Sequence, residues 1–314
     1  MPIFRILTVG ARLLVTTGLI WVLAMRIDLG RAAVIIAHAS VPLLAAALGG
    51  LLAANLVTAL RWHLILAAAT PSPGPATLAK LILVGLYFNQ VLPSGIGGDA
   101  VRALRCRSLG IGLGAAVRSI LLDRACGYSV LIAIYAVALP CLLNNLHDVR
   151  GRSAIIAVLA CGAAGLMALV SLDRLPSAIL RFPMITTFAL LSGEARRLLT
   201  HPRRCGAALG LSVLSIALTI LSFELVADAI GSRLSFGIWA MVVPPVSLIQ
   251  LLPVSLAGWG VREAALIVAL GWFGVPAEAA LATSVAMGLC LIAIGLPGGL
   301  IWLTNWDISR ARRA

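Results

Sequence analysis

Apolar residues run along this chain in blocks of about twenty, long enough to cross a hydrocarbon core of roughly 30 Å as a helix. The blocks predict spans near residues 7–25, 41–60, 119–143, 153–172, 207–230 and 283–303. Two further apolar runs, 78–92 and 239–253, are too short to cross. The first ends in Pro93-Ser-Gly-Ile-Gly-Gly98, and the second, closing on Pro253, leads into a glycine-bearing stretch over 254–260. Helix-breaking backbone is tolerated at membrane depth only where protein or a watered cavity satisfies its amides. Both runs therefore predict re-entrant helical hairpins whose tips line a cavity.

The two breaks share one pattern. Gln90-Val-Leu-Pro93-x4-Gly98-x2-Val-Arg102 returns 160 residues later as Gln250-Leu-Leu-Pro253-x4-Gly258-x2-Val-Arg262, with six identities at matched spacing. With the N-terminus inside, the first hairpin enters from the cytoplasm, and three more crossings bring the chain outside before the second begins. The copies are then inverted, an arrangement that places a substrate site between the repeats near mid-depth. The expected fold is an all-α polytopic integral membrane protein forming one domain over 1–314. Its repeat cores lie at about 77–143 and 237–303.

Composition narrows the class. At 61% hydrophobic and 11% charged residues over 314 positions, the chain has too little polar surface to cover a globule in water, which excludes an ordinary soluble domain. A net charge of +13 would suggest nucleic acid in a soluble protein, but here the arginines sit in short segments beside apolar blocks. An N-terminus in the cytoplasm puts 17 of the 24 basic residues in cytoplasmic segments, six outside and Arg124 within a span, so both termini are expected inside. The block at 7–25 follows Arg5 and Arg12 without a small-residue cleavage site and reads as an uncleaved signal anchor. Segment 171–204 sets Arg174, Arg181, Arg196, Arg197, Arg203 and Arg204 around apolar residues and predicts an interfacial amphipathic helix or two. The six cysteines are scattered and read as small buried apolar residues.

Candidate chemistry gathers at the breaks. Arg102 and Arg262 follow them at equivalent positions, beside helix starts at Gly97-Gly98 and at Gly258 to Gly260 that would offer backbone N–H groups. A guanidinium beside such donors suits a phosphate, because its fork engages two oxygens at once. Arg102 also reads as a cytoplasmic anchor like Arg105 and Arg107, whereas Arg262 falls on the side where arginine is disfavoured. Asp99 and Glu263 either neutralise these arginines or relay a proton. Four such charges near mid-membrane would cost on the order of 10 kcal/mol before pairing, so something must compensate. Asn89, Gln90 and Gln250, just before the prolines, would bond either freed backbone or a head group. Asp123 and Arg124 at a span start, and Glu224 with Asp228 on one helix face, are secondary candidates. Trp62, Trp239, Trp259, Trp302 and Trp306 sit near span ends, as an interfacial belt requires. The histidines lack metal-ligand spacing, and there is no Walker A pattern or G-x-S-x-G elbow, so no metal, cofactor or catalytic residue is expected.

The segment Phe88-Asn-Gln-Val-Leu-Pro93-Ser-Gly-Ile-Gly-Gly98-Asp-Ala-Val-Arg102, with Asp123-Arg124, Leu256-Ala-Gly-Trp-Gly260-Val-Arg-Glu263, Gly274-Val-Pro276 and Arg61-Trp62, resembles the flippase-like transmembrane domain of the lysylphosphatidylglycerol synthase family. The likeness covers nearly the whole chain. It implies a bacterial inner-membrane protein that binds and flips a lipid with a polar head group. Related members are associated with aminoacylated phospholipids, polyprenyl-linked glycans and hopanoids. The synthase members carry a soluble aminoacyl-transfer domain after the membrane part. This sequence stops at Ala314, so synthase activity is not expected of it. The expectation is a lipid flippase, not an enzyme, whose partners are anionic, polyprenyl or hopanoid-type membrane lipids. The second reading is an accessory membrane subunit or transferase that presents a lipid to an envelope-lipid biosynthetic enzyme.

Overall fold

Apolar blocks bounded by proline become helices here, because the first turn of a helix has N–H groups to spare and proline gives one up without loss. The computed structural model describes residues 27–92, 97–145, 149–171, 183–251 and 258–304, with Leu14, Thr17, Gly18, Trp21, Val22 and Met25. The expected span at 7–25 and the tips at 93–96 and 252–257 lie largely or wholly outside these. The helices are α1 (Leu29–Ala37), α2 (Val41–Leu66), α3 (Pro75–Val91), α4 (Gly97–Ser108), α5 (Leu113–Asn145), α6 (Val149–Ser171), α7 (Pro183–Leu199), α8 (Pro202–Ala229), α9 (Phe236–Ile249), α10 (Val261–Gly271) and α11 (Ala277–Leu303). Among the described residues there is no strand. Five helices, α2, α5, α6, α8 and α11, are long and apolar enough to cross a membrane, matching five of the expected spans. Large apolar side chains such as Val137, Met167, Leu300 and Leu303 stand exposed on these helices, as lipid-facing surface requires.

Two sets of four helices follow the same order: long, short, short, long. Val41 and Pro202, Pro75 and Phe236, and Leu113 and Ala277 head corresponding members. The first members run antiparallel. Gly50 of α2 abuts Ser222 of α8, the Thr58 and Ser215 hydroxyls meet at 3.0 Å, and the Arg61 guanidinium donates to Ser212 Oγ at 2.8 Å. The remaining packing is reciprocal, with α3 seated on α11 and α9 seated on α5. The main apolar core, including Leu51, Val130, Ile220, Phe223, Trp239, Val243, Leu266 and Met287, draws on both sets.

The short helices fold back as hairpins. In the first, Asn89 meets Gly98, Gly85 meets Arg102, and Leu78, Leu81 and Cys106 share one cluster, so α4 returns antiparallel along α3. In the second, Gln250 at the end of α9 lies against Gly258, just before α10 starts. At 1.5 Å per residue, α4, α9 and α10 span roughly 16–21 Å and α3 about 25 Å, all shorter than a hydrocarbon core.

The segment expected to be amphipathic contains α7. Its Leu191, Ala195 and Leu198 pack on Ile65, Leu122, Cys126 and Ala208, so this face is covered by the bundle and not by lipid. Arg118 of α5 pairs with Glu194 of α7 at 2.7 Å, and Arg196 donates to the Val170 carbonyl. These contacts gather the end of α2, the starts of α5 and α8, and the basic α7 at one end of the molecule. Cys106, Cys126 and Cys290 are buried as expected, but Cys141 and Cys161 are exposed.

Candidate functional site

The first break brings charge together from three helices. Gly98 is glycine because backbone occupies the place of its side chain: a Cβ there would overlap the Gly85 carbonyl oxygen. That closeness lets Asn89 Oδ1 accept the Gly98 N–H at 2.9 Å and tie the start of α4 to α3. One helical turn apart on α4, Asp99 and Arg102 face inward, and Arg102 Nη1 donates to Asp99 Oδ1 at 3.0 Å. Arg124 of α5 donates to the other Asp99 oxygen and reaches Tyr128 Oη at 3.3 Å. One carboxylate is thus shared by two guanidinium groups.

Beside it, Arg61 Nε donates to Asp123 Oδ1 at 2.7 Å in a fully buried pair between α2 and α5, and Arg61 Nη1 reaches α8 through Ser212. Arg102 lies within electrostatic reach of Asp123 as well as Asp99 and Arg124. Its guanidinium carbon sits 4.1 Å from the ring centre of Trp62, which is itself held by a hydrogen bond from Nε1 to Ser119 Oγ. Arg102 is only 7% exposed, yet among the described residues its Nε and Nη2 are buried without a hydrogen-bond partner. An unpaired buried donor costs on the order of 1–3 kcal/mol, and more in a charged group.

The second break is built differently. Gly258 and Gly260 have φ of 82° and 84°, a region in which a Cβ is strained. Glu263 accepts the Gly260 N–H and caps α10, and its other oxygen accepts from Arg262 Nε at 3.2 Å, Arg262 Nη2 at 2.8 Å and Ser284 Oγ at 3.0 Å. Arg262 Nε also donates to Ser284 Oγ at 3.1 Å. The guanidinium lies over Trp259 and fills the space left by Gly288 of α11.

Each candidate therefore has a definite place. Asp99, Arg102, Asp123 and Arg124 form one cluster, joined by Arg61, Trp62 and Tyr128, which sequence reasoning had not singled out as ligands. Arg262 and Glu263 form a second, joined by Trp259 and Ser284. Among the described residues no hydrogen bond or ion pair links the two. Their common neighbour is α11: Gly288 borders Arg262, while Gly295 borders Tyr87 of α3, about 10 Å further along the helix. Gly97 and Gly98 start α4 as expected, but the Gly98 and Gly260 amides, two expected ligand donors, are taken by Asn89 and Glu263. Gln250 Nε2 donates to the Val246 carbonyl one turn back at 3.3 Å, and the side chain of half-buried Gln90 makes no hydrogen bond among the described residues. Glu224 and Asp228 are half-buried on α8 outside both clusters. The expected aromatic belt fails for Trp62 and Trp239, which are fully buried; Trp62 serves as the floor beneath Arg102.

Charge held at helix breaks inside a bundle of lipid-length helices defines the class, a polytopic integral membrane protein. A profile of the lysylphosphatidylglycerol synthase TM region matches residues 9–299, and the chain belongs to that family. No curated protein matches the chain.

Proposed function

We propose that the chain is a flippase that moves a lipid with an anionic head group across the bacterial inner membrane, with both termini in the cytoplasm. The observation that carries this reading is Arg102, a buried guanidinium with two unpartnered donors at the tip end of a broken hairpin. A lipid phosphate offers the acceptors those donors lack, while its acyl tails stay in the bilayer. The antiparallel first helices of the two sets, the exchange of α3 and α9 between sets, and hairpin helices shorter than a hydrocarbon core all support two re-entrant hairpins related by inversion. In this mechanism one set rocks against the other around the head group. Asp99 stays on Arg102 Nη1 and on Arg124 while the phosphate takes the Nε and Nη2 donors of Arg102. No covalent step is assigned to the chain.

The test is reconstitution into liposomes with a fluorescent anionic phospholipid and a dithionite-quenching readout. Wild-type protein is expected to move the probe between leaflets without a partner protein, and Arg102→Gln to slow it by about tenfold or more, the worth of a charge-assisted hydrogen bond. Movement that required a soluble partner would favour the accessory-subunit reading instead.

A further inference from the structure

Arg102 and Arg262 occupy the same position in the two copies, yet the same edge of each guanidinium has a different fate. Nε and Nη2 together form the side-on fork with which arginine grips two oxygens of a carboxylate or phosphate. In Arg262 that fork is filled from within, by Glu263 and by Ser284. In Arg102 the fork is buried without a hydrogen-bond partner among the described residues, and Asp99 takes only Nη1. The cause is legible in the alignment of the copies: where the second has Glu263 after its arginine, the first has Ala103, a buried residue with no acceptor to offer.

Formal charge points the same way. Among the described residues Arg61, Arg102 and Arg124 pair with Asp99 and Asp123 alone, which leaves one positive charge in excess, whereas Arg262 is neutralised by Glu263. The one partly exposed member is Arg124, with about a third of its side chain accessible, and it marks the side on which the cluster opens.

We propose that the Nε/Nη2 edge of Arg102 is the head-group site, taking one monoanionic phosphate in the place that the Glu263 carboxylate occupies in the second copy, and that Arg262, Glu263 and Ser284 form a latch between α10 and α11, not a second anion subsite. The inference rests on the flippase reading and sharpens it. A single negative charge balances the cluster, so a phosphodiester lipid fits. A neutral hopanoid would leave the fork empty, and a diphosphate would bury uncompensated charge.

The test uses full-length protein in phosphatidylcholine nanodiscs, with a fluorescent phosphatidylglycerol as probe and thermal unfolding recorded for every variant. Arg102→Gln is expected to weaken probe binding about tenfold or more. Ala103→Glu, which supplies to the first copy the carboxylate present in the second, should do the same with the protein folded. If Ala103→Glu does not fold, Arg102→Gln decides. The charge-neutral double variant Arg262→Gln/Glu263→Gln should keep affinity within about threefold of wild type, a change of about 0.65 kcal/mol at most. Polyprenyl diphosphate and a hopanoid should compete poorly, and inorganic phosphate at equal concentration should not compete. Wild-type affinity in Arg102→Gln, or a loss in the folded double variant as large as that in Arg102→Gln, would overturn the proposal. Equal competition by inorganic phosphate would show a soluble anion as the ligand and remove the lipid assignment. If wild type neither binds nor moves any anionic lipid, the flippase reading itself falls. If it moves lipid and Arg102→Gln moves it as well, lipid movement by the chain stands and the assignment of the head group to Arg102 falls.

Discussion

At the scale of single residues, burial decides what a charge does. Arg61 follows an apolar block and invites reading as a loop residue, but it is buried against Asp123 and Ser212, tying α2 to α5 and α8. Removing one partner of such a pair leaves the other charged in a dry setting, so Arg61→Met should destabilise the protein by about 3–5 kcal/mol. Thermal unfolding in detergent measures this, and Arg61→Met/Asp123→Leu should recover most of the loss, because two apolar groups of similar size need no partner. At Gly260, with φ of 84°, alanine should cost about 1–2 kcal/mol in the same assay. The arginines and acids of the breaks were legible from their repeated spacing. Their partners Trp62 and Ser284 were not, since each comes from another helix and carries no local signal.

At the scale of elements, the helix starts at the two breaks followed glycine closely, and other helix boundaries departed further from the apolar blocks. Gly97 and Val261 begin α4 and α10 where the breaks predict. By contrast α2 runs to Leu66, beyond the expected 60, and α5 begins at Leu113, before the expected 119. In both places an arginine interrupts the apolar block, and a partner on another helix, Asp123 for Arg61 and Glu194 for Arg118, makes the interruption tolerable. Close helix contact at α3 and α11 rests on Gly298, where a side chain would overlap the Leu83 carbonyl. Gly298→Val is expected to force the two helices apart, lowering the monodisperse fraction in size-exclusion chromatography and abolishing lipid movement. Retained packing and activity would show that the contact is not needed.

At the scale of the whole molecule, the ends of α2 and α8 set the topology. The Ser40 amide donates to the Ala229 carbonyl, so the start of α2 and the end of α8 share one face of the bundle, while Arg61 and Ser212 lie toward the other. Cysteines placed at Ser40 and Gly231 in a cysteine-free background should react with a membrane-impermeant maleimide from the periplasmic side, and those at Thr70 and Arg203 only after the membrane is opened. Labelling of all four from one side would contradict both the charge bias and the inverted arrangement.

Hydrophobic block lengths, the duplicated break and the distribution of arginines by themselves determined the class, five of the described spans and the position of both charged pairs, because each is a local property of the chain in a bilayer. Only the tertiary structure decided that α3 packs on α11 and α9 on α5, and that the two matching arginines end in unlike states. Whether a guanidinium is satisfied depends on which acceptors other helices bring within about 3 Å of it, a distance set by packing and not by spacing along the chain.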